Sequence, residues 1–125
     1  MIYGIGTDLV KPSRINQSLE KYGERFARRL LSELEWDDYI KNSQPAMFLA
    51  KRFAAKEALS KAMGTGLRHP VTLTNIAVVH DSLGKPYFEF HSELATLIKN
   101  EGIIHHHLSI SDEFNLATAF VILEK

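Results

Sequence analysis

The chain has 125 residues, enough for one ordinary domain with a buried core. Hydrophobic residues make up 45% and charged residues 24%, which excludes a disordered chain. Fifteen basic residues balance fifteen acidic ones, which excludes the whole-protein basic field of many nucleic-acid binders, and the lack of cysteine excludes disulfides, thiolate metal sites and cysteine nucleophiles.

Residues 2–9 read as a strand. Ile2, Gly4, Gly6 and Asp8 point one way on it, and Tyr3, Ile5, Thr7 and Leu9 the other. One face is therefore nearly bare and ends in a carboxylate, a pattern that calls for close approach by another backbone or a ligand. The run has no basic flank and is too short for a signal peptide or a membrane span, so a cytosolic protein without membrane association is expected. Pro12 and Ser13 open a helix, as first-turn proline and N-cap, and Gly23 breaks or bends it. A second helical piece covers residues 24–31. Ser32 and Glu35 have capping-box spacing and start a third, through Ile40. Pro45 opens the longest helix, through Met63, which stops at Gly64-Thr65-Gly66. Residues 71–79 read as a strand, 81–86 as a turn around Gly84-Lys85-Pro86, 87–90 as a short strand, 93–100 as a short helix, and 105–111 with 116–123 as a hairpin. A strand, then helices, then mostly strands is an α+β order. No repeat, low-complexity segment or linker interrupts it, so residues 1–125 are expected to form a single domain.

On a wheel of the longest helix, Phe53, Ala50, Ala54 and Ala58 cluster around Glu57, with Lys61 one turn on. Lys51, Arg52, Lys56 and Ser60 fall towards the other side or the margin. Glu57 is thus a glutamate in an apolar stripe, and a buried carboxylate is costly unless paired or bound to a metal. Asp8 poses the same problem at the end of its strand. A hard divalent cation such as Mg²⁺ between the two satisfies both, because it takes few protein carboxylates and keeps its other positions for water and phosphate oxygens. Pairing of Glu57 with Lys61 at i+4, and a strand-end role for Asp8, is the structural alternative.

In the first strand of the hairpin, His105, His107, Ser109 and Ser111 alternate with His106, Leu108 and Ile110. The polar face is either a solvated strand face or a place where His107 orients phosphate or moves a proton. His105 and His107 lack a third ligand for zinc. Gly64-Thr65-Gly66 follows a helix, so it is a helix stop and not a P-loop, although such glycines can approach a phosphate closely. Lys85, in its turn, is also placed to reach a phosphate. Near the N-terminus Arg14, Lys21, Arg25 and Arg28 would share one face of a continuous helix.

Four blocks carry a resemblance over residues 2–124. Gly4-Ile5-Gly6-Thr7-Asp8-Leu9-Val10 with Arg14 resembles the N-terminus of the bacterial holo-acyl-carrier-protein synthases of the 4′-phosphopantetheinyl transferase superfamily. Residues 52–66, with Lys56-Glu57-Ala58 at their centre, resemble the family's central signature. Leu83-Gly84-Lys85-Pro86 and residues 107–113 resemble two further blocks, in the same order and spacing. Family members often carry histidine where this chain has Asp112, so no catalysis is assigned there.

The resemblance implies the family's mostly antiparallel sheet packed with a long central helix. It also implies transfer of phosphopantetheine from coenzyme A to a serine of acyl carrier protein, with release of adenosine 3′,5′-bisphosphate, in the service of fatty acid biosynthesis. Asp8 and Glu57 would hold Mg²⁺; Lys61 and His107 would act on the phosphates, and the base is either a carboxylate beside the metal or His107. Gly64, Gly66, Lys85 and Pro86, with Lys61 and His107, would bind the coenzyme. The basic face of Arg14, Lys21, Arg25 and Arg28 would dock the acidic carrier, and a homotrimer would bind coenzyme A in clefts between subunits. A non-catalytic binding module and a Mg²⁺-dependent phosphate hydrolase are the competing readings.

Overall fold

The computed structural model describes all of residues 1–125. In chain order its elements are β1 (Ile2–Val10), α1 (Pro12–Tyr22), α2 (Glu24–Leu30), α3 (Glu33–Lys41), α4 (Pro45–Met63), a 3-10 turn (Leu73–Asn75), β2 (Ile76–His80), β3 (Pro86–Phe90), α5 (Glu93–Asn100), β4 (His105–Glu113) and β5 (Leu116–Glu124). The strands form an antiparallel sheet in the order β1-β5-β4 and an antiparallel β2-β3 pair. The two are joined where the Phe88 N–H of β3 donates to His106 Nε2 of β4 at 3.1 Å. This is the expected α+β architecture around a long central helix.

Local chemistry explains most of the boundaries. Pro45 starts α4, and Gly64 ends it in the left-handed region (φ 78°). Gly23 (φ 62°) separates α1 from α2, so the continuous basic helix face is broken. Ser13 is not an N-cap: Lys11 takes that position, Pro12 is the first helical residue, and the Ser13 N–H donates to Asn115 Oδ1 in the β4–β5 turn at 3.0 Å. The strand expected over residues 71–79 begins only at Ile76, because the Thr72 hydroxyl accepts the Asn75 N–H (3.2 Å) and closes a 3-10 turn first.

The bare strand face meets a backbone. A Cβ on Gly4 would fall on the carbonyl oxygen of Ala62, and one on Gly6 on that of Ala58. Ala117 and Ala119 of β5 and Ala54, Ala58 and Ala62 of α4 are buried at the same layer, so small side chains let helix and sheet approach closely. Pairing with β5 slips between Ile2 and Gly4. Tyr3 therefore packs against the core instead of lying with Ile5, and Ile2 is exposed.

The wheel of α4 is corrected. Arg52, Lys56 and Ser60 are buried, and Lys56 is fully so; Phe53, Glu57 and Lys61 form the stripe that reaches towards solvent. The sheet covers one side of α4, while α2, α3 and β2 flank it elsewhere. Glu35 makes this possible. Its carboxylate accepts from Lys56 Nζ (2.6 Å), from Arg52 Nη1 (3.0 Å) and from the N–H groups of Ser32 (2.9 Å) and Val78 (3.2 Å). Lys56 also donates to the carbonyls of Leu30 (2.7 Å) and Leu73 (2.9 Å), and Arg52 to that of Val78. Burial lowers the Lys56 ammonium to about 8 against the opposing pull of Glu35. Removing one member of such a buried set costs about 3–5 kcal/mol, because its partners are left uncompensated.

Gly6→Ala is expected to lose about 3 kcal/mol of stability in urea denaturation, the upper end of ordinary overpacking, since the obstacle is helix backbone that cannot rotate aside. Wild-type stability in this variant would contradict the placement of β1 on α4.

Candidate functional site

The glycine contact puts Asp8, two residues beyond Gly6, over the open stripe of α4. Lys61 reaches back across it, its ammonium donating to the Thr7 carbonyl (3.0 Å) and to Asp8 Oδ1 (3.2 Å). Asp8 is the deeper partner, with 16% of its side chain exposed against 52% for Lys61. Asp8 is also tied to the sheet, because Thr118 Oγ1 donates to its main-chain carbonyl at 2.9 Å. Glu57 makes no ion pair with Lys61, so the i+4 alternative does not form. Partial burial, then the nearby charge of Asp8, push the Glu57 carboxyl above the usual carboxylate range, and Lys61 pulls the other way.

Two carboxylates and one ammonium thus meet on the partly open side of α4. The donor set fits a hard divalent ion. Both carboxylates offer hard oxygen donors, and their mutual repulsion is only partly relieved by Lys61, the situation a hard divalent ion with few protein donors would relieve.

The other expected site residues lie elsewhere. His107 is on the opposite face of the sheet, in the cross-strand row His107–Ile122–Ile5, whereas Asp8–Ala119–Ile110 is a row on the α4 side. His107 Nε2 is 2.5 Å from Glu124 Oε1, and this bond holds the Glu124 carboxyl below its usual range. His106 points inward against Phe88 and Phe90, where burial lowers its pKa. Gly64 and Gly66 follow Lys61 at the C-terminal end of α4; the amides of Thr65 and Gly66 donate to the Ser60 carbonyl at 3.3 and 3.2 Å, completing the helix cap. Pro86, beside Lys85, lines a polar hollow with Gly84, Lys51, Arg52, His80 and Asp112, near the other end of α4. From Arg52 to Gly64 is about 18 Å along a helix of 1.5 Å rise. Within one chain these residues do not converge. Lys51 and His80 lie outside the four motif blocks, and Arg52 and Asp112, though inside them, had no periodic signal to mark them as lining a hollow.

The basic residues also divide. Arg14 lines a hollow with Leu9, Lys11 and Phe53, one helical turn before Glu57. Arg25 and Arg29 line another with Ser18 and Tyr22, and Lys21 lies over the Tyr22 ring. Arg28 stacks on Trp36 at 3.7 Å and contacts Glu24 (3.8 Å) and Glu33 (3.9 Å), so its charge is partly neutralised.

Comparison with known proteins bears on this arrangement. The sequence model of the 4′-phosphopantetheinyl transferase superfamily matches residues 4–119. The holo-[acyl-carrier-protein] synthase of Nitrosospira multiformis is 75% identical over 125 residues, all of both chains. The crystal structure of the synthase from Neisseria meningitidis superposes with a TM-score of 0.97 at 46% identity, over all of both chains. That of the Bacillus anthracis synthase, in complex with CoA (3′,5′-ADP), gives 0.81 at 40% identity, over 98% of this chain and 96% of that one.

A carboxyl whose folded pKa is raised disfavours the fold once both states are ionised, and this penalty disappears as pH falls through the folded pKa to the unfolded value. Glu57→Gln should therefore melt at a higher temperature than wild type in EDTA at pH 7.5, with the gap closing as pH approaches the ordinary carboxylate range. Melting at or below wild type at pH 7.5 would contradict the crowding of Glu57 by Asp8.

Proposed function

This chain belongs to the 4′-phosphopantetheinyl transferase superfamily, and we propose that it transfers the 4′-phosphopantetheine arm of coenzyme A to a serine of acyl carrier protein, releasing adenosine 3′,5′-bisphosphate. The observation that carries this reading is the meeting of Asp8 with Glu57 and Lys61, 49 and 53 positions further along the sequence, on a chain whose full-length relatives are holo-acyl-carrier-protein synthases. The Bacillus anthracis relative holds the coenzyme's nucleotide, which supports coenzyme A as the donor here.

Asp8 and Glu57 are the residues to hold Mg²⁺, which when bound supplies Lewis-acid neutralisation of the diphosphate. Lys61 provides a mobile cation at the edge of the same cleft, placed to meet phosphate charge as bonds to the leaving group weaken. Gly64 and Gly66, with open space where a Cβ would stand, are assigned to the coenzyme at the helix end. Pro86 and Lys85 are assigned to the nucleotide end, beside the hollow that holds Lys51 and Arg52.

An acidic carrier would dock on Arg14, Lys21 and Arg25, with Arg14 the closest in chain terms to the cleft because Phe53 joins its hollow to the Glu57 stripe; Arg28 contributes less. The protein would work in the cytosol, in the supply of holo carrier for fatty acid biosynthesis. No helix is long and apolar enough to cross a membrane.

A homotrimer accounts for the two-sided site. The outer face of the β1-β5-β4 sheet exposes Ile5, Leu9, Leu116 and Phe120, and His107 stands on that face. Packing of this face against another copy would bury it and carry His107 to a neighbour's cleft.

Incubation with apo acyl carrier protein, coenzyme A and Mg²⁺ should add one phosphopantetheine to the mass of the carrier, and Glu57→Gln should slow this by about 100-fold or more, the scale for losing a key electrostatic group. Coenzyme A consumed without a heavier carrier would favour the hydrolase. Sedimentation should give three times the 14.2 kDa chain mass, falling to the chain mass in Phe120→Glu; a wild-type monomer that is fully active would remove the trimer from the reading.

A further inference from the structure

We infer that Lys61 is a resident counter-ion of Asp8 that must leave for the divalent ion to bind, and that the diphosphate of coenzyme A is what draws it away, so that metal and coenzyme enter the site as mutually dependent ligands. The inference rests on Asp8 and Glu57 being the metal ligands.

The geometry sets up the competition. Asp8 is mostly covered, and the cation that engages its carboxylate is the Lys61 ammonium, 3.2 Å from Oδ1. The ammonium also donates to the Thr7 carbonyl at 3.0 Å, a backbone acceptor that carries no charge. A divalent ion taking the same carboxylate would sit against this positive charge, and at such separations the repulsion in a partly dry cleft is strong. Lys61 is free to move. Its side chain is half exposed, its flexible stem lets the head swing, and its only side-chain partner is Asp8.

What is missing in the free protein is another anion to receive it. Glu57 stands on the same helix face but makes no pair with Lys61, and it already bears the charge of Asp8. A diphosphate arriving at the cleft provides that anion. Lys61 then changes partner from carboxylate to phosphate, and Asp8 is released to the metal. Because the coupling is an equilibrium one, each ligand raises the affinity for the other by the same factor.

The test measures binding of Mn²⁺, by electron paramagnetic resonance, with and without saturating coenzyme A. In wild type coenzyme A should tighten Mn²⁺ binding by about tenfold or more. Lys61→Met, which keeps the stem and removes the charge, should bind Mn²⁺ alone about tenfold more tightly than wild type and show a much smaller enhancement by coenzyme A. Lys61→Arg, which keeps the charge, should bind Mn²⁺ alone as weakly as wild type. Asp8→Asn should lose Mn²⁺ in either condition. If Lys61→Met binds Mn²⁺ no more tightly than wild type while Asp8→Asn has lost it, the counter-ion role is wrong and the metal site stands. If Asp8→Asn keeps wild-type affinity, or no variant binds Mn²⁺ in either condition, the metal site itself fails and the inference with it. Should Lys61→Met melt far below wild type, Lys61→Gln gives the same comparison.

Discussion

The contact on which the rest of the structure depends is between two glycines and a helix backbone. Gly4 and Gly6 have no side chain to hold β1 away, so the strand lies directly on the carbonyls of Ala62 and Ala58. A side chain of any size at Gly6 would lift the strand and carry Asp8 off with it. The alanines of α4 and β5 extend this close layer, and they make poor hydrophobic core by area. The core is thin here, and the close approach brings the strand's Asp8 carboxylate to 3.2 Å from the Lys61 ammonium and close enough to Glu57 for its charge to be felt. Thr118 adds a lateral tie by bonding the Asp8 carbonyl, so both the helix and the neighbouring strand set where this residue sits.

The opposite side of α4 meets the reverse demand. There the helix is held by ions in place of apolar packing, with Glu35 between Lys56 and Arg52 and all three essentially out of water. Well-packed apolar side chains would serve stability as well or better. The ionic set does something an apolar patch does not: it fixes rotation. Glu35 takes two backbone amides, at Ser32 and Val78, while Lys56 and Arg52 return bonds to the carbonyls of Leu30, Leu73 and Val78. Four segments are thereby keyed to one angular setting of α4. Lys56 and Glu57 are adjacent, so a setting that buries the first turns the second towards Asp8.

Helix ends were legible because their causes are local. Pro45, Gly23 and Gly64 act on their own dihedrals, and the sequence places α4 to the residue. The composition of the β1 face was legible for the same reason, since alternation alone lines up Gly4, Gly6 and Asp8. The slip that turns Tyr3 inward was not, because it depends on pairing with a strand near the other end of the chain. The wheel of α4 failed for a physical reason. It assumes one broad wet side, and a helix covered on most of its circumference keeps only the narrow Phe53, Glu57 and Lys61 stripe; its buried cations are satisfied by a glutamate 17 and 21 residues away. Glu35 was visible only as a capping residue, which it is, since it takes the Ser32 N–H, but no periodicity announces its second task. Asp8 and Glu57 stood out as carboxylates in poor surroundings. Why they meet is a matter of tertiary approach; in the sequence they were joined only by their shared need of a cation and by the family resemblance.

The sidedness of the sheet bears on how such a site is built. Alternation along β1 and β5 sends Asp8 inward and Ile5, Leu9 and Phe120 outward, and along β4 it sends His107 outward too. No rotamer carries a side chain through a sheet, so His107 and the Asp8 cluster cannot act on one diphosphate from within one chain. A role for His107 in the transfer therefore requires that the outer face meet a second chain. The apolar residues around it have the composition of a surface to be covered, and the short bond to Glu124 keeps the imidazole oriented on that face meanwhile. The dependence runs in one direction. The carboxylate pair and Lys61 come together within one chain, because one strand and one helix make them, whereas the histidine would gain a place in the chemistry only through assembly. On the proposed reading, loss of assembly and loss of Glu57 would affect different parts of the same reaction: the first the placing of the coenzyme, the second the neutralisation of its diphosphate.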